Sequence, residues 1–349
     1  MNVALDATYS IGRDLSGVGV YSRELLAGLT RAHPGTRFDF CYRPHRFLRS
    51  FQARLPENAR RFLLGETRVP RRADVFHGLG QRLPGTRVRH AVATFHDLFV
   101  LTGDYSTPEF RQRFAQQARQ AAERADRIIA VSRFTAAQVT DLLGVEAARL
   151  RVVHHGVHPV LPAPESGREK IILHVGAIQR RKNVARLVEA FEGIGHEWQL
   201  VLAGAPGYGA REIMARIDAS PCRARIQVLG YVPATELSAW YARASIFAFP
   251  SLDEVFGMPV LEAMAAGLPV VAANRSAIPE VAGDAAWLVN PENVQELRDA
   301  LAALIDQPET RSSLARRGLQ RARQFTWENA AESTWQVYSE LAESQAGGD

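Results

Sequence analysis

Two acidic residues eight positions apart, Glu254 and Glu262, bracket the start of an apolar run in DEVFGMPVLEAMAAGLPVVAA, residues 253–273. The run has helical period. Pro259 falls where a first turn tolerates a missing N–H, and Gly267 followed by Leu-Pro ends the helix. Phe256, Gly257 and Met258 therefore present backbone N–H groups at the positive end of a helix dipole, a place suited to phosphate oxygens. At about 1.5 Å of rise per residue the two carboxylates lie on the order of 10 Å apart. Retaining glycosidases hold their carboxylate pair at about 5.5 Å, so this spacing does not suit two groups acting on one bond. It suits the two ends of one ligand, such as the hydroxyls of a sugar and of a ribose joined by a diphosphate, each end fixed by charge-assisted hydrogen bonds. The plainer alternative is that Glu254 caps the helix and Glu262 lies on the surface.

A second group stands in ILHVGAIQRRKN, residues 172–183: a buried strand ending in Gly176, then Arg180, Arg181 and Lys182, then Asn183 at a helix N-cap position. Lys182 is one of two lysines in a chain that otherwise uses arginine. Arg181 as a fork and Lys182 as a point charge can neutralise a diphosphate leaving group; a solvated basic loop is the alternative. DATYSIGRDLSGVGVYSREL, residues 6–25, sets Gly17 and Gly19 between the first strand and first helix, where a backbone can approach a phosphate or sugar closely. Position 22 is Ser, so no G-x-G-x-x-G dinucleotide fingerprint is formed. In ATFHDLFV, residues 93–100, His96 and Asp97 end a strand. His96 can donate to a sugar hydroxyl or carbonyl with Asp97 fixing its ring, or be a satisfied structural histidine. His154 and His155 are expected to shape a crevice rather than do chemistry.

These residues need elements to hold them. Strands are expected at 2–7, 37–42, 74–77, 91–95, 127–132 and 151–155, with helices at 20–32, 108–125 and 133–143. HPVLPAPESGREK, residues 158–170, has three prolines and a glycine and reads as a linker. The pattern then restarts, with strands at 171–176, 199–204, 225–230, 245–250, 269–273 and 286–289 and helices at 183–193, 209–217, 235–243, 257–266 and 293–305. Strand and helix alternating in this way predict two doubly wound α/β domains, with ligands at the carboxyl ends of the strands. The last helix starts at a capping Thr326, and its Trp335 and Tyr338 need a surface to cover. No repeat of 20–50 residues is present, which excludes a solenoid.

Charge is distributed unevenly. Residues 1–160 hold 24 arginines, no lysine and 14 acids, a net of +10, and the remainder carries −5. RPHRFLRSFQARLPENARRF, residues 43–62, interleaves Arg43, Arg46, Arg49, Arg54, Arg60 and Arg61 with Phe47, Phe51 and Phe62. Such a segment either rests on an anionic membrane surface or is a solvated basic face. Nucleic-acid binding is not expected, because no helix-turn-helix, RNP-like strand or zinc-finger spacing accompanies the charge. Cys41 and Cys222 fall in different expected domains and form no ligand cluster, so neither a disulfide framework nor a zinc site is expected. With no apolar run of membrane-spanning length, a cytoplasmic protein is expected, with residues 43–62 as its one route to the inner membrane face.

Taken together, SLDEVFGMPVLEAMAAGLPVVAA resembles the E-x7-E signature of retaining glycosyltransferase family 4, whose GT-B architecture has two Rossmann-like domains facing a central cleft. SGVGVYSRELL is similar to its first glycine loop, FHDL to its histidine loop, RIIAVSRFT to the segment after its long helix, VVHHGV to the approach to its linker, and HVGAIQRRKN to its diphosphate loop of the PRKN type. The resemblance covers most of residues 1–340. It implies an N-terminal acceptor-binding domain over 1–160, a nucleotide-sugar domain over 161–325, and a helix over 326–349 crossing back to the first domain. It implies that Glu254 contacts the donor sugar, Glu262 the ribose, Arg181 and Lys182 the diphosphate, Gly17 the phosphates through its N–H, and His96 the transferred sugar. It also implies a nucleoside diphosphate sugar as donor substrate, a glycan or lipid-linked acceptor, no cofactor and no essential metal. Ala177 stands where many members have arginine, and Val255 where glycine is usual. A sugar-nucleotide epimerase of the same architecture and a non-catalytic nucleotide- or glycan-binding subunit are the alternatives.

Overall fold

The computed structural model describes residues 1–12, 15–160 and 167–343. The chain divides into two compact units, one of Met1–Gly156 with Thr326–Asp349, the other of Val157–Phe325. The expected linker over 158–170 lies partly outside the described residues.

In the first unit seven parallel strands run in the order β3-β2-β1-β4-β5-β6-β7. They are β1 (Asn2–Asp6), β2 (Arg37–Tyr42), β3 (Ala59–Leu63), β4 (Val75–Gly78), β5 (His90–Phe95), β6 (Arg127–Ala130) and β7 (Leu150–Val152). Helices α1 (Gly17–Ala32), α2 (Pro44–Ser50), α3 (Phe99–Thr102), α4 (Pro108–Arg124) and α5 (Arg133–Leu143) connect them. Every residue of β4 and β5 is buried, as expected of parallel strands covered on both faces. The small residues Ala118, Ala121 and Ala122 let α4 lie close against Ala93 and Phe95 of β5.

In the second unit six parallel strands run in the order β10-β9-β8-β11-β12-β13. They are β8 (Ile171–Val175), β9 (Gln199–Ala203), β10 (Ile226–Gly230), β11 (Ile246–Phe249), β12 (Val270–Ala273) and β13 (Trp287–Val289). Around them lie α6 (Val184–Phe191), α7 (Ala210–Asp218), α8 (Ala234–Arg243), α9 (Met258–Ala265), α10 (Ile278–Ala282), α11 (Val294–Asp306) and α12 (Pro308–Ala322). One core joins Ile172, Leu200 and Leu202 of the sheet to Leu187 and Phe191 of α6 and Leu297 and Leu301 of α11.

The final helix, α13 (Trp327–Glu343), belongs to the first unit. Thr326 caps it, its Oγ1 accepting from the Asn329 N–H at 3.0 Å. Trp335 stacks on His33, just after α1, at 3.7 Å between ring centroids, the Tyr338 hydroxyl bonds His77 Nδ1 at 2.6 Å, and Glu340 pairs with Arg151 at 2.7 Å.

Five elements depart from expectation, one of them α3, whose 4 residues are too few to show a period. β3 and α2 fall in the basic segment, where arginine masks the strand pattern of ARRFL and a helix of 7 residues is too short to show a period. Helices α10 and α12 both carry proline in the first turn, at Pro279 and Pro308, positions that read as breaks when taken alone.

Four of the six arginines between 43 and 62 are engaged within the unit, Arg46 through Nη1 donating to the Ile11 carbonyl at 3.5 Å. Arg43 is buried and pairs with Asp6 at 3.3 Å and with Glu66. Arg60 pairs with Asp39, and Arg61 donates to the carbonyls of Ser50 and Ala53. Arg49 and Arg54 are exposed, beside Leu48 at 81% and Phe51 at 60% exposure.

Candidate functional site

The strand order of the second unit reverses between β8 and β11, where a doubly wound sheet opens a crevice beyond its carboxyl ends. Two loops meet there. After β8 the chain passes through Gly176 at φ 154°, makes one 3-10 turn over Arg180–Lys182, and enters α6 through Asn183 in the left-handed region at φ 58°. Asn183 occupies the N-cap position but does not cap the helix. Its side-chain amide instead donates to the carbonyls of Pro250 at 3.0 Å and Pro291 at 2.7 Å, a use the sequence did not suggest. After β11 the second loop is joined to the first by the Leu252 N–H donating to the Arg181 carbonyl at 2.8 Å. Arg181 Nη1 in turn donates to the Asp253 carbonyl at 2.5 Å.

Between these loops the charged groups gather. Glu254 is 7% exposed and its Oε2 accepts from both Lys182 Nζ and Arg181 Nη1, the latter at 3.2 Å. Lys182, also 7% exposed, rests its ammonium 4.6 Å from the Phe249 ring centroid. Burial by itself would raise the Glu254 carboxyl, but the charges and hydrogen bonds of Lys182 and Arg181 override it and hold it below the usual carboxylate range. Burial pushes the Lys182 ammonium downward, Arg181 adds to that, and Glu254 opposes it. Glu254 therefore does not cap α9, whose first turn has no side-chain cap. Arg180 turns away from this group and pairs with Glu212 of α7 at 2.6 Å.

Helix α9 begins after Gly257, whose φ of 93° and the Ile278 Cδ1 atom 2.6 Å from a would-be Cβ leave no place for a side chain. The N–H groups of Gly257 and Met258 make no hydrogen bond among the described residues. The Phe256 ring is buried edge-on against Phe325, so its side chain takes no part in this group. One turn further, Glu262 Oε2 accepts from the Tyr241 hydroxyl of α8 at 2.8 Å, so it is not a free surface acid. Burial raises the Glu262 carboxyl, with Tyr241 and His158 only partly opposing. The two acids of one sequence pattern are thus shifted in opposite directions.

Sequence reasoning missed Tyr241 and His174. The aromatic spacing of Tyr241 in α8 reads as core, and His174 is inside an apolar strand. His174 is fully buried on β8; its Nδ1–H donates to the Ala248 carbonyl at 2.9 Å and its Nε2 has no hydrogen-bond partner among the described residues. A carbonyl only accepts, so Nε2 carries a lone pair, and burial lowers the ring to about 4.

The remaining predicted residues, Gly17 and His96, lie in the first unit. Gly17 is the exposed first residue of α1, and none of the described residues comes within 4 Å of a Cβ placed there. Gly19 is the position of close approach, with the Tyr9 carbonyl 2.9 Å from a would-be Cβ. His96 follows β5 and is 5% exposed, edge-on to Tyr21 at 4.6 Å and stacked on His155 at 5.5 Å. Its Nε2–H donates to the Leu79 carbonyl at 2.8 Å and burial lowers it to about 4. The ring is neutral with Nδ1 as its open nitrogen, so it accepts a hydrogen bond rather than donating one, contrary to expectation.

Residues 162–321 match the family described as Glycosyl transferases group 1, and residues 15–160 match Glycosyltransferase Family 4. The O-antigen chain mannosyltransferase B of Escherichia coli is 30% identical over 284 residues, covering 76% of this chain and 74% of that one. Among solved structures, a sucrose-phosphate synthase from Thermosynechococcus elongatus superposes with a TM-score of 0.80 at 21% identity, covering 99% of this chain and 100% of that one. Anabaena HepE, crystallised with UDP-glucose, gives a TM-score of 0.72 at 18% identity, with 99% of each chain covered.

Proposed function

Because this chain belongs to glycosyltransferase family 4 and has its GT-B fold, we propose that it transfers a hexose, mannose or a close relative, from a nucleoside diphosphate sugar to a hydroxyl of a glycan or lipid-linked acceptor, with retention at the anomeric carbon. The observation that carries this reading is the buried group of Lys182, Arg181 and Glu254 at the switch point of the second sheet. Mannose is favoured by the named activity of the Escherichia coli relative.

In the reaction the bond from the anomeric carbon to the diphosphate oxygen breaks and its electron pair stays on that oxygen. The acceptor oxygen bonds to the same face of the carbon, and the acceptor proton passes to the departing phosphate. Arg181 and Lys182 stabilise the developing charge, a contribution that preorganised donors bring at about 10²–10³ in rate each. The N–H groups at Gly257 and Met258 add the positive end of α9. Glu254 holds hydroxyls of the sugar and Glu262 those of the ribose. In the first unit Gly17 offers a backbone N–H to phosphate, and neutral His96 accepts from a hydroxyl of the transferred sugar through Nδ1. With two cations in place, no cofactor or essential metal is needed, and a chelator should leave turnover unchanged.

The exposed Leu48, Arg49, Phe51 and Arg54 form the part of the basic segment suited to an anionic membrane surface, where a lipid-linked acceptor would reside. Among the described residues no helix is long and apolar enough to cross a membrane. Work at the inner, cytoplasmic face of a membrane fits these features. Sedimentation with vesicles that did not respond to anionic lipid would remove this element and leave the transfer reaction standing.

The test of the main reading is a panel of sugar nucleotides screened for thermal stabilisation, followed by transfer assays. A donor at 100 times its dissociation constant adds about 2.7 kcal/mol. Release of nucleoside diphosphate only when acceptor is present, with an α-configured donor giving an α-linked product, is the expected result. Release without acceptor together with an altered free sugar would favour the epimerase alternative.

A further inference from the structure

In the state described here, Glu254 occupies with its own carboxylate the two cations that a diphosphate would require. Its Oε2 bonds Lys182 Nζ and Arg181 Nη1 at once, in a setting where all three side chains are largely buried. The other groups around Lys182 are the face of Phe249, the cation Arg181, the neutral ring of His174 and, more weakly, Asp253, whose Oδ1 already accepts from Ser276. Glu254 is thus the principal counter-ion of the pair. A buried anion removed from its cations must find replacement partners or bear the cost of lying unpaired.

We propose that Glu254 makes the site discriminate between intact sugar nucleotide and the nucleoside diphosphate left after transfer. The inference rests on the donor assignment given above. An incoming diphosphate displaces Glu254 from Lys182 and Arg181. When the diphosphate carries a sugar, the displaced carboxylate accepts hydrogen bonds from sugar hydroxyls and remains satisfied. When the sugar has gone to the acceptor, the carboxylate has no such partners and returns to the cations, in competition with the diphosphate. Glu254 therefore tightens binding of the intact donor and weakens binding of the product, which limits product inhibition and helps clear the site for the next turnover.

The experiment is calorimetric titration of the full chain and its E254Q variant with UDP and GDP, and with UDP-glucose and GDP-mannose. For the nucleotide that the wild type recognises, E254Q is expected to bind the nucleoside diphosphate about tenfold tighter or more, the size of effect that hydrogen bonds to a charged group produce. The preference for sugar nucleotide over diphosphate should shrink in the same variant. Equal or weaker binding of the diphosphate by folded E254Q overturns the proposal. If the wild type binds none of these compounds, it is the donor assignment that fails instead. Should E254Q not fold, a wild-type crystal soaked with the bound sugar nucleotide decides: Glu254 moved from Lys182 onto sugar hydroxyls supports the exchange, and Glu254 still paired with Lys182 overturns it.

Discussion

Each unit buries a polar cluster beside its sheet, and the two clusters are built differently. In the first unit the cluster is neutral: His77 bonds Tyr338 at 2.6 Å and Thr94 at 2.7 Å, Thr94 bonds Tyr21 at 3.0 Å, and Tyr21 packs on His96 and His155. Burial lowers His77 to about 3 and His96 to about 4, so the rings stay uncharged at neutral pH. In the second unit the cluster is ionic, two cations sharing one carboxylate. A neutral network whose members satisfy one another fixes geometry and ties α13 to the sheet. An ion group with more positive than negative charge can trade its internal anion for an external one. The chain thus separates rigidity from ligand exchange by the kind of polar group it buries.

The largest effect that would test this contrast is expected from Lys182→Ala. It should lower turnover by about 10²–10³ and, by leaving Glu254 with one partner, destabilise by roughly 3–5 kcal/mol. A Lys182→Met, Glu254→Gln double variant should recover much of the stability and none of the turnover, measured by denaturant unfolding beside an activity assay. Normal turnover in Lys182→Ala would break the comparison outright.

Next in size is a pH effect from the neutral cluster. A histidine whose folded pKa lies below its unfolded value near 6.5 binds fewer protons when folded, so its stabilising effect is complete above about 6.5 and is lost as pH falls toward the folded value. His77 at about 3, with His96 and His174 at about 4, should make stability fall between about pH 6.5 and pH 4, by several kcal/mol in total. A flat melting temperature across that window would contradict the buried neutral assignment. Glu254, held below the usual range, keeps its ion pair through the upper part of the same window.

Tyr338→Phe should cost about 1–3 kcal/mol by leaving His77 Nδ1 unpaired, and nucleoside diphosphate affinity should not change. A drop in that affinity would show that the neutral cluster also serves the ionic one. The smallest effect belongs to Tyr241→Phe, which removes the hydroxyl that donates to Glu262. A loss of about 0.5–1.5 kcal/mol in donor binding, read as a higher KM with little change in kcat, would place Tyr241 as a positioning residue.

Much was already legible in the sequence. Strand and helix alternation is a local signal, and it located twelve of the thirteen strands, missing β3, because buried parallel strands are continuous apolar runs bounded by turn residues. The family was legible too, since glycine, lysine and glutamate at fixed spacings stand where backbone geometry and charge leave few substitutes. Only the tertiary structure decided which charges meet. Nothing local distinguishes Arg180, which pairs with Glu212, from Arg181, which faces Glu254 some seventy positions away. The same holds for the six arginines of residues 43–62, four of which are taken up inside the unit by acids and carbonyls that the local pattern does not mark. Periodicity is set by neighbours along the chain, whereas the partner of a charge, the tautomer of His96 and the direction of each carboxylate's shift are set by what folding brings alongside.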